Sequence, residues 1–215
     1  MFGQHSVNES YFNFVFYSIS LFLKEVNSLE NRLVAGIDVG LKKSHVAVLE
    51  GRRIVYIGDF EDFIRKGYDI SAAGIDAPLS FPVEGSLRDC ERELLKMGIR
   101  LFPSGAKFFR KIAERGIEIA EMLENRGVEV FEVYPYATRL ILNIAPKAKK
   151  FRKEGRIQLI SGLKRYVGNV NTGLSHDEID AVLSALTVAL FCEGKARLVC
   201  GKDGCILIPV GITTL

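Results

Sequence analysis

Tryptophan is absent from this 215-residue chain and glutamine occurs only twice. Glutamine is thermally labile, and its scarcity fits a heat-adapted composition. Histidine occurs three times and cysteine four times, at positions 90, 192, 200 and 205. None of these cysteines forms a C-x2-C pair and no histidine cluster accompanies them, which excludes a zinc ribbon or finger. Free thiols in a reducing compartment are the expectation. The apolar stretch YFNFVFYSISLFL at 11–23 falls short of the ~20 residues that a bilayer-spanning helix needs. It also lacks the basic flank and small-residue cleavage site of a secretory signal. Internal repeats and low-complexity tracts are missing, which excludes solenoids and arrays. Charge of one sign does not dominate: the net charge is +3. That balance permits a polyanionic partner without requiring one.

What is present suits a globular enzyme or binding domain. Hydrophobic residues make up 48% of the chain, enough for one well-packed α/β domain over 31–215. Residues 1–30 differ in character. They read as an apolar N-terminal arm packed as helix or strand, as a segment translated from an over-early start, or as an anchor. As an arm they would pack on a second copy of the chain, giving a homo-oligomer. A cytoplasmic location with no membrane partner is expected.

LVAGIDV (33–39) is a continuous apolar run, the pattern of a strand buried on both faces. HVAVLE (45–50) and RIVYIG (53–58) follow after short turns and predict an antiparallel meander. DFEDFIRKG (59–67) has the Asp start and Gly stop of a short helix. ISAAGIDAP (70–78) is a second buried strand, ended by Pro78. SLRDCERELLKMG (86–98) and RKIAERGIEIAEMLENRG (110–127) predict helices, so 79–127 reads as a helical insertion. VEVFEVYP (128–135) is a strand, and helices are expected in 136–144 and 156–167. SHDEIDAVLSALTVALFCEG (175–194) opens with Ser175 and Glu178 at capping-box spacing. The segment 197–210 predicts a hairpin around KDG. The sum is a mixed sheet flanked by helices, in which ligands bind beyond the carboxyl ends of parallel strands.

Acids fall at those ends. The tripeptide GID occurs at 36–38 and again at 74–76, each time closing a buried strand. Asp38 alone would pass for a turn cap; Asp76 in the equivalent place suggests a shared site. Glu132 lies inside an apolar strand, where a carboxylate needs a cation or hydrogen-bond donors, or an Arg or Lys partner. Asp177 and Asp180 share a helix face. Asp177 is also the kind of acid that a helix N-terminus favours by itself. Asp180 leads into an almost wholly apolar helix and is not explained by capping. Clustered carboxylates stay ionised cheaply only beside a hard cation, and oxygen ligands favour Mg or Mn. Such ions activate water and stabilise the leaving oxygen of a phosphodiester.

The motifs GIDVG, GIDAPLSFP, LRDCERELLKMGIRLFPSG, FEVYPYATRL and SHDEIDAVLSALTVAL resemble the DUF429 family of predicted nucleases with a ribonuclease H-like fold. The similarity runs over about 33–210. It implies a ribonuclease H-like mixed sheet flanked by helices, with the helical insertion between the fourth and fifth strands, placed over the site. It implies metal binding by Asp38 on the first strand, by Asp76 after the fourth, and by Asp180 or Asp177 on the terminal helix. Glu132 belongs to the EVYP signature, with a less defined place in that set. In the insertion, Arg88, Arg92 and Lys107 would seat phosphates, although Arg88 and Arg92 at i and i+4 also fit a solvated helix face. The basic run with Lys147, Lys149, Lys150, Arg152, Lys153 and Arg156 suits a nucleic-acid backbone or a wet loop. Tyr134 and Tyr136 would stack on a base or pack the strand end. His45 and His176 are not metal ligands by spacing, although His176 stands beside the acids and would assist proton transfer. The reading that results is a metal-dependent phosphodiester hydrolase. A non-catalytic nucleic-acid-binding or structural protein on the same fold is an alternative. An ATP-dependent phosphotransferase of the actin and sugar-kinase type fits less well, because a second nucleotide loop is missing.

Overall fold

In a computed structural model, residues 32–211 are described; the N-terminal arm lies outside them. Strands β1 (Leu33–Asp38), β2 (His45–Glu50) and β3 (Arg53–Asp59) form the expected antiparallel meander. Helix α1 (Phe60–Lys66) leads to β4 (Ile70–Asp76), which pairs parallel with β1. Helices α2 (Asp89–Lys96) and α3 (Arg110–Glu124) precede β5 (Glu129–Glu132), which pairs parallel with β4. The five strands lie in the order β3-β2-β1-β4-β5. This mixed sheet with flanking helices is the ribonuclease H-like α/β architecture. Helices α4 (Pro135–Ile141), α5 (Lys153–Leu163) and α6 (His176–Cys192) follow, then a hairpin of β6 (Ala196–Gly201) and β7 (Gly204–Pro209).

The strand pleat divides each buried strand between two layers. Ala35, Ile37, Ala73, Ile75, Val46 and Val48 face a core that α1 and α3 close with Phe60, Phe63, Ile119 and Leu123. Helix α3 is therefore the crossover joining parallel β4 to β5. The excursion from the layers narrows to 79–109, where the sequence suggested 79–127. Helix α6 covers the other face, against β1, β2 and β4. Its residues from Ile179 to Phe191 are buried all round, which explains its unbroken apolar run. Its start is as the sequence predicts: Ser175 Oγ accepts from the Glu178 amide at 3.1 Å, and Glu178 accepts from the Ser175 amide at 2.8 Å.

The glycines of the repeated GID serve this helix. A Cβ on Gly36 would stand 2.1 Å from the Ala185 amide nitrogen and 2.2 Å from the Ala181 carbonyl oxygen. A Cβ on Gly74 would meet methyls of Val188 and Val133 at 2.8 and 2.9 Å, and the Ser184 carbonyl at 3.0 Å. Backbone cannot yield at position 36, whereas methyls can rotate at 74. We expect Gly74→Ala to cost ~1–3 kcal/mol by overpacking and Gly36→Ala to cost more, an order that thermal denaturation of the two variants would establish.

The hairpin forms a separate two-stranded sheet. Its turn is held by Asp203, whose carboxylate accepts from the Asp89 amide at 2.8 Å and so caps α2 from outside. The cysteine expectation is corrected here. Register places Cys200 opposite Cys205, and the two are joined as a disulfide. Spacing across a KDG turn was the available signal. Cys90 and Cys192 are free. Among the described residues no helix is long and apolar enough to cross a membrane.

Candidate metal centre

Asp38 and Asp76 end neighbouring parallel strands and are register partners, so their side chains leave the same face of the sheet. That face lies under α6, which brings Asp180 down onto them. One carboxylate oxygen from each of the three lies within 4.8 Å of the others. Asp38 and Asp76 are partly open to solvent, and Asp180 is 3% exposed. Three elements distant in sequence thus meet at the carboxyl ends of two parallel strands. The close approach allowed by Gly36 and Gly74 sets the depth at which Asp180 arrives.

The electrostatics are unfavourable without a cation. Two like charges ~4 Å apart repel by ~4 kcal/mol at an effective dielectric near 20. Burial, and then the charges of Asp180 and Asp177, push the Asp38 carboxyl up to about 7. Asp76 is raised by burial, then by Asp180 and Asp38. Asp180 is raised by burial, against the opposing pull of Lys150. The Lys150 ammonium forms an ion pair with Asp180. Burial disfavours that ammonium, but Asp180, Asp76 and Asp38 together hold it charged. Lys150 and, to a smaller extent, Arg139 act against three carboxylates, which leaves the cluster under-neutralised. This donor set fits a hard divalent cation, which would be held by Asp38, Asp76 and Asp180.

A pH dependence follows. Between the ordinary carboxyl value of 3.8 and about 7, folded Asp38 binds a proton that the unfolded chain has released. Stability of the metal-free protein therefore falls as pH rises through that window and levels off above it. Asp76 and Asp180 act in the same direction. Asp38→Asn removes part of the effect, so its melting temperature should decline less between pH ~5 and ~8 than that of the wild type. Melting curves in chelator across that range would test this; a parallel decline would contradict it.

The other sequence-predicted residues are sorted by their contacts. Glu132, a candidate catalytic acid with a less defined place in the metal set, is not one of the three clustered acids. It is 8% exposed and forms a two-pronged ion pair with the Arg88 guanidinium. It also accepts from the Leu79 amide at 2.8 Å. Arg88 in turn is 1% exposed and also pairs with Glu91, so it is no surface phosphate ligand. The solvated-face reading fails for Arg88 and holds for Arg92, which pairs with Asp89 at 2.7 Å. Lys107 is exposed on a 3-10 turn beside Phe108 and Phe109. Arg152 is exposed at the start of α5, and Arg156 donates to the Phe151 carbonyl at 3.3 Å. Lys150 and Arg152 line a cleft of about 440 Å³ with Arg139, Ala148, Lys149 and Phe151. Asp177 lies one helical turn before Asp180, and its carboxylate meets His176 Nδ1 at 2.5 Å. Tyr134 donates to the Arg100 carbonyl at 2.8 Å and packs edge-on against Tyr136, as a strand-end pair.

Two residues escaped the sequence reading. Arg139, in the FEVYPYATRL stretch, donates to the carbonyls of Ala145 and Ala148 at 3.0 and 2.9 Å and so ties down the loop that carries Lys150. His45 was set aside on spacing, yet the structure puts one of its ring nitrogens within 4.8 Å of ligand atoms of Asp38 and Asp177. The signal was the meander itself: a short turn after β1 returns β2 with His45 directly across from Asp38.

The sequence signature of DUF429, described as a protein of unknown function, matches residues 36–204. The chain belongs to the DUF429 family. The match takes in both GID segments and the Asp-bearing start of α6, so every residue of the acidic triad lies inside it. No curated protein matches the chain. Among solved structures, a Thermus thermophilus RuvC in complex with a Holliday junction substrate is 16% identical. It covers 80% of this chain and 99% of its own, at a TM-score of 0.47. A second Thermus thermophilus RuvC structure is 17% identical, covering 75% and 96%, at a TM-score of 0.42.

Proposed function

We propose that this DUF429 protein is a metal-dependent phosphodiester hydrolase acting on nucleic acid. One observation carries the reading: Asp38, Asp76 and Asp180 converge from β1, β4 and α6 with ligand atoms within 4.8 Å of one another. A structural acid has no need of two further acids at that distance, and the proton affinities of Asp38 and Asp76 are raised by burial and then by the neighbouring acids. A bound Mg or Mn ion would supply Lewis acidity and a water of lowered pKa. The chain's own contribution is placement. The carboxylates hold the cation at the rim of the sheet, where Asp38 and Asp76 remain partly open to solvent. Lys150, anchored through Arg139 and its loop, is placed to exchange its Asp180 partner for a phosphate oxygen. Lys149, Arg152 and the exposed Phe151 extend that surface toward a sugar-phosphate backbone. In the reaction a water oxygen bonds to phosphorus, one P–O ester bond breaks, and a proton ends on the leaving oxygen.

The test is cleavage of end-labelled single-stranded, duplex and branched DNA and RNA by the purified chain. Cleavage with Mn²⁺ or Mg²⁺ that chelator abolishes supports the reading. Binding that persists in chelator, with no cleavage under any metal, would instead favour a non-catalytic nucleic-acid-binding protein.

A further inference from the structure

The cleft beside the triad is built from charges of one sign. It is lined by Arg139, Ala148, Lys149, Lys150, Phe151 and Arg152, with no carboxylate among them. Lys150 is paired with Asp180 and so joins the cleft to the acidic cluster. Lys149 and Arg152 are exposed and have no acidic partner among the described residues. Arg139 differs from them: it lines the cleft although it is only 5% exposed. Its hydrogen bonds come from Nη2 and go to neutral carbonyls, those of Ala145 and Ala148. Its Nε is closed off from solvent and has no partner among the described residues. Burial works against the guanidinium charge, and the pull of Asp180 and Tyr136 does not make up the difference. A buried cation without a paired carboxylate is costly, and an uncharged donor would serve for a loop staple. The frame around it is preformed. The Arg152 amide donates to the Lys149 carbonyl at 2.9 Å and closes 149–152 as a turn. That turn lies against α5 at Gly155, where a Cβ would stand 2.0 Å from the Lys149 carbonyl oxygen. Phe151, 72% exposed, adds an open ring to the lining, with His176 edge-on to it at 5.0 Å.

We propose that this cleft binds the terminal phosphomonoester of a nucleic-acid strand, so that the protein works from phosphorylated strand ends. The proposal rests on the reading of the triad as the centre of a nucleic-acid hydrolase, and names the form of substrate it takes. Charge selects the monoester. A diester within a running backbone carries one negative charge, which scattered exposed lysines serve. A phosphomonoester carries about −1.5 to −2 near neutral pH and offers three strong acceptor oxygens. Arg139, Lys149 and Arg152 supply three cations without acidic partners, and Lys150 stands beside them. The planar guanidinium of Arg139 offers donors in the fork that phosphate oxygens match. Size agrees as well: about 440 Å³ holds a phosphate with its nucleoside. The open face of Phe151 gives the terminal base a ring to stack on. Because Lys150 bridges the cleft and the triad, an end seated here brings a bond close to its own terminus to the acids. The products are then short fragments released from that end.

Fluorescence anisotropy of the full chain with a single-stranded DNA labelled at an internal base tests this in chelator, where binding is read without cleavage. The same sequence is offered with a 5′-phosphate, with a 3′-phosphate, or with hydroxyls at both ends. One phosphorylated form should bind at least ~10-fold tighter than the hydroxyl form, the scale of charge-assisted hydrogen bonds. Which form does so names the end that is held. The double variant Lys149→Ala/Arg152→Ala changes exposed side chains only and should remove the preference. Arg139→Gln should lower it too, and the double variant decides the matter if Arg139→Gln does not fold. Equal affinity for all forms, binding of none, or an undiminished preference in the double variant overturns the proposal and leaves the hydrolase reading standing. A nucleoside monophosphate that displaces the phosphorylated strand as well as unlabelled strand does would make the ligand a free nucleotide and overturn the strand-end assignment. A clear preference for a phosphorylated end in a protein that cleaves nothing with any metal supports the cleft and overturns the hydrolase reading.

Discussion

Asp76→Asn is expected to lower divalent-dependent cleavage at least ~100-fold while raising the thermal stability of the metal-free protein. The two effects share one cause. Loss of even an outer partner of a metal ligand costs ~10–100-fold in affinity or activity, and Asp76 belongs to the triad proposed to hold the cation directly. It lies at the register position of Asp38 and under Asp180. Its carboxylate is also a disfavoured charge, raised by burial and then by Asp180 and Asp38. The amide of Asn keeps the shape and removes the charge. The metal-free fold then loses a repulsion, and the gain should grow as pH rises, because the raised Asp76 carboxyl keeps its proton in the folded wild type to higher pH than in the unfolded chain. A cleavage assay at saturating Mn²⁺ paired with melting curves in chelator checks both halves. An inactive variant that is also less stable would mean that Asp76 is a structural residue, and an active one would remove it from the centre.

Arg88→Ala should produce the opposite pattern, a large loss of stability from a residue outside the acidic cluster. The guanidinium is 1% exposed, donates from two nitrogens to Glu132, and also reaches Ser80 Oγ at 2.8 Å and Glu91 at 3.2 Å. Burial works against its charge, and the Glu132 carboxylate outweighs that penalty. Removing one partner of such a pair strands the other charge and costs ~3–5 kcal/mol. In a domain of this size that is a fall of about 10 °C in melting temperature. The pair also holds two parts of the chain together, since Glu132 closes β5 and Arg88 opens α2. Replacing both by apolar residues, as in R88M/E132L, should restore much of the loss, because the unpaired charge is then gone. Urea denaturation of the two singles and the double measures the coupling. Simple additivity would show that the pair contributes little. Mn²⁺ affinity should be unchanged in Glu132→Gln, which separates this residue from the metal-holding acids.

Much of the architecture was legible because local signals and tertiary demands agree. The buried runs at 33–39 and 70–78, the meander between them and the capping box at Ser175 all became the elements they predicted. The triad was legible too, because an acid at the end of a buried strand is anomalous, and Asp180 has no local role in an apolar helix. Glu132 looked equally anomalous and turned out to be paired. Its partner lies 44 residues away, on a helix whose spacing suggested a wet face. Amphipathic periodicity reports which way a side chain points, and it does not report that a guanidinium points inward to meet a carboxylate. His45 was dismissed because metal-ligand spacing is a rule for ligands on one helix or loop. A sheet sets side chains beside one another by register instead, which is how His45 comes to lie across from Asp38.

The sequence by itself determined most elements, their order and a short set of candidate acids, since each is written in the chemistry of a few neighbouring residues. Only the tertiary structure decided which charges neutralise one another. Coulomb energy and desolvation depend on distance and burial across the fold: sheet register sets residues 38, 45 and 76 side by side, and residue 180 with its partner Lys150 joins them only when α6 settles on the two glycines of the repeated GID.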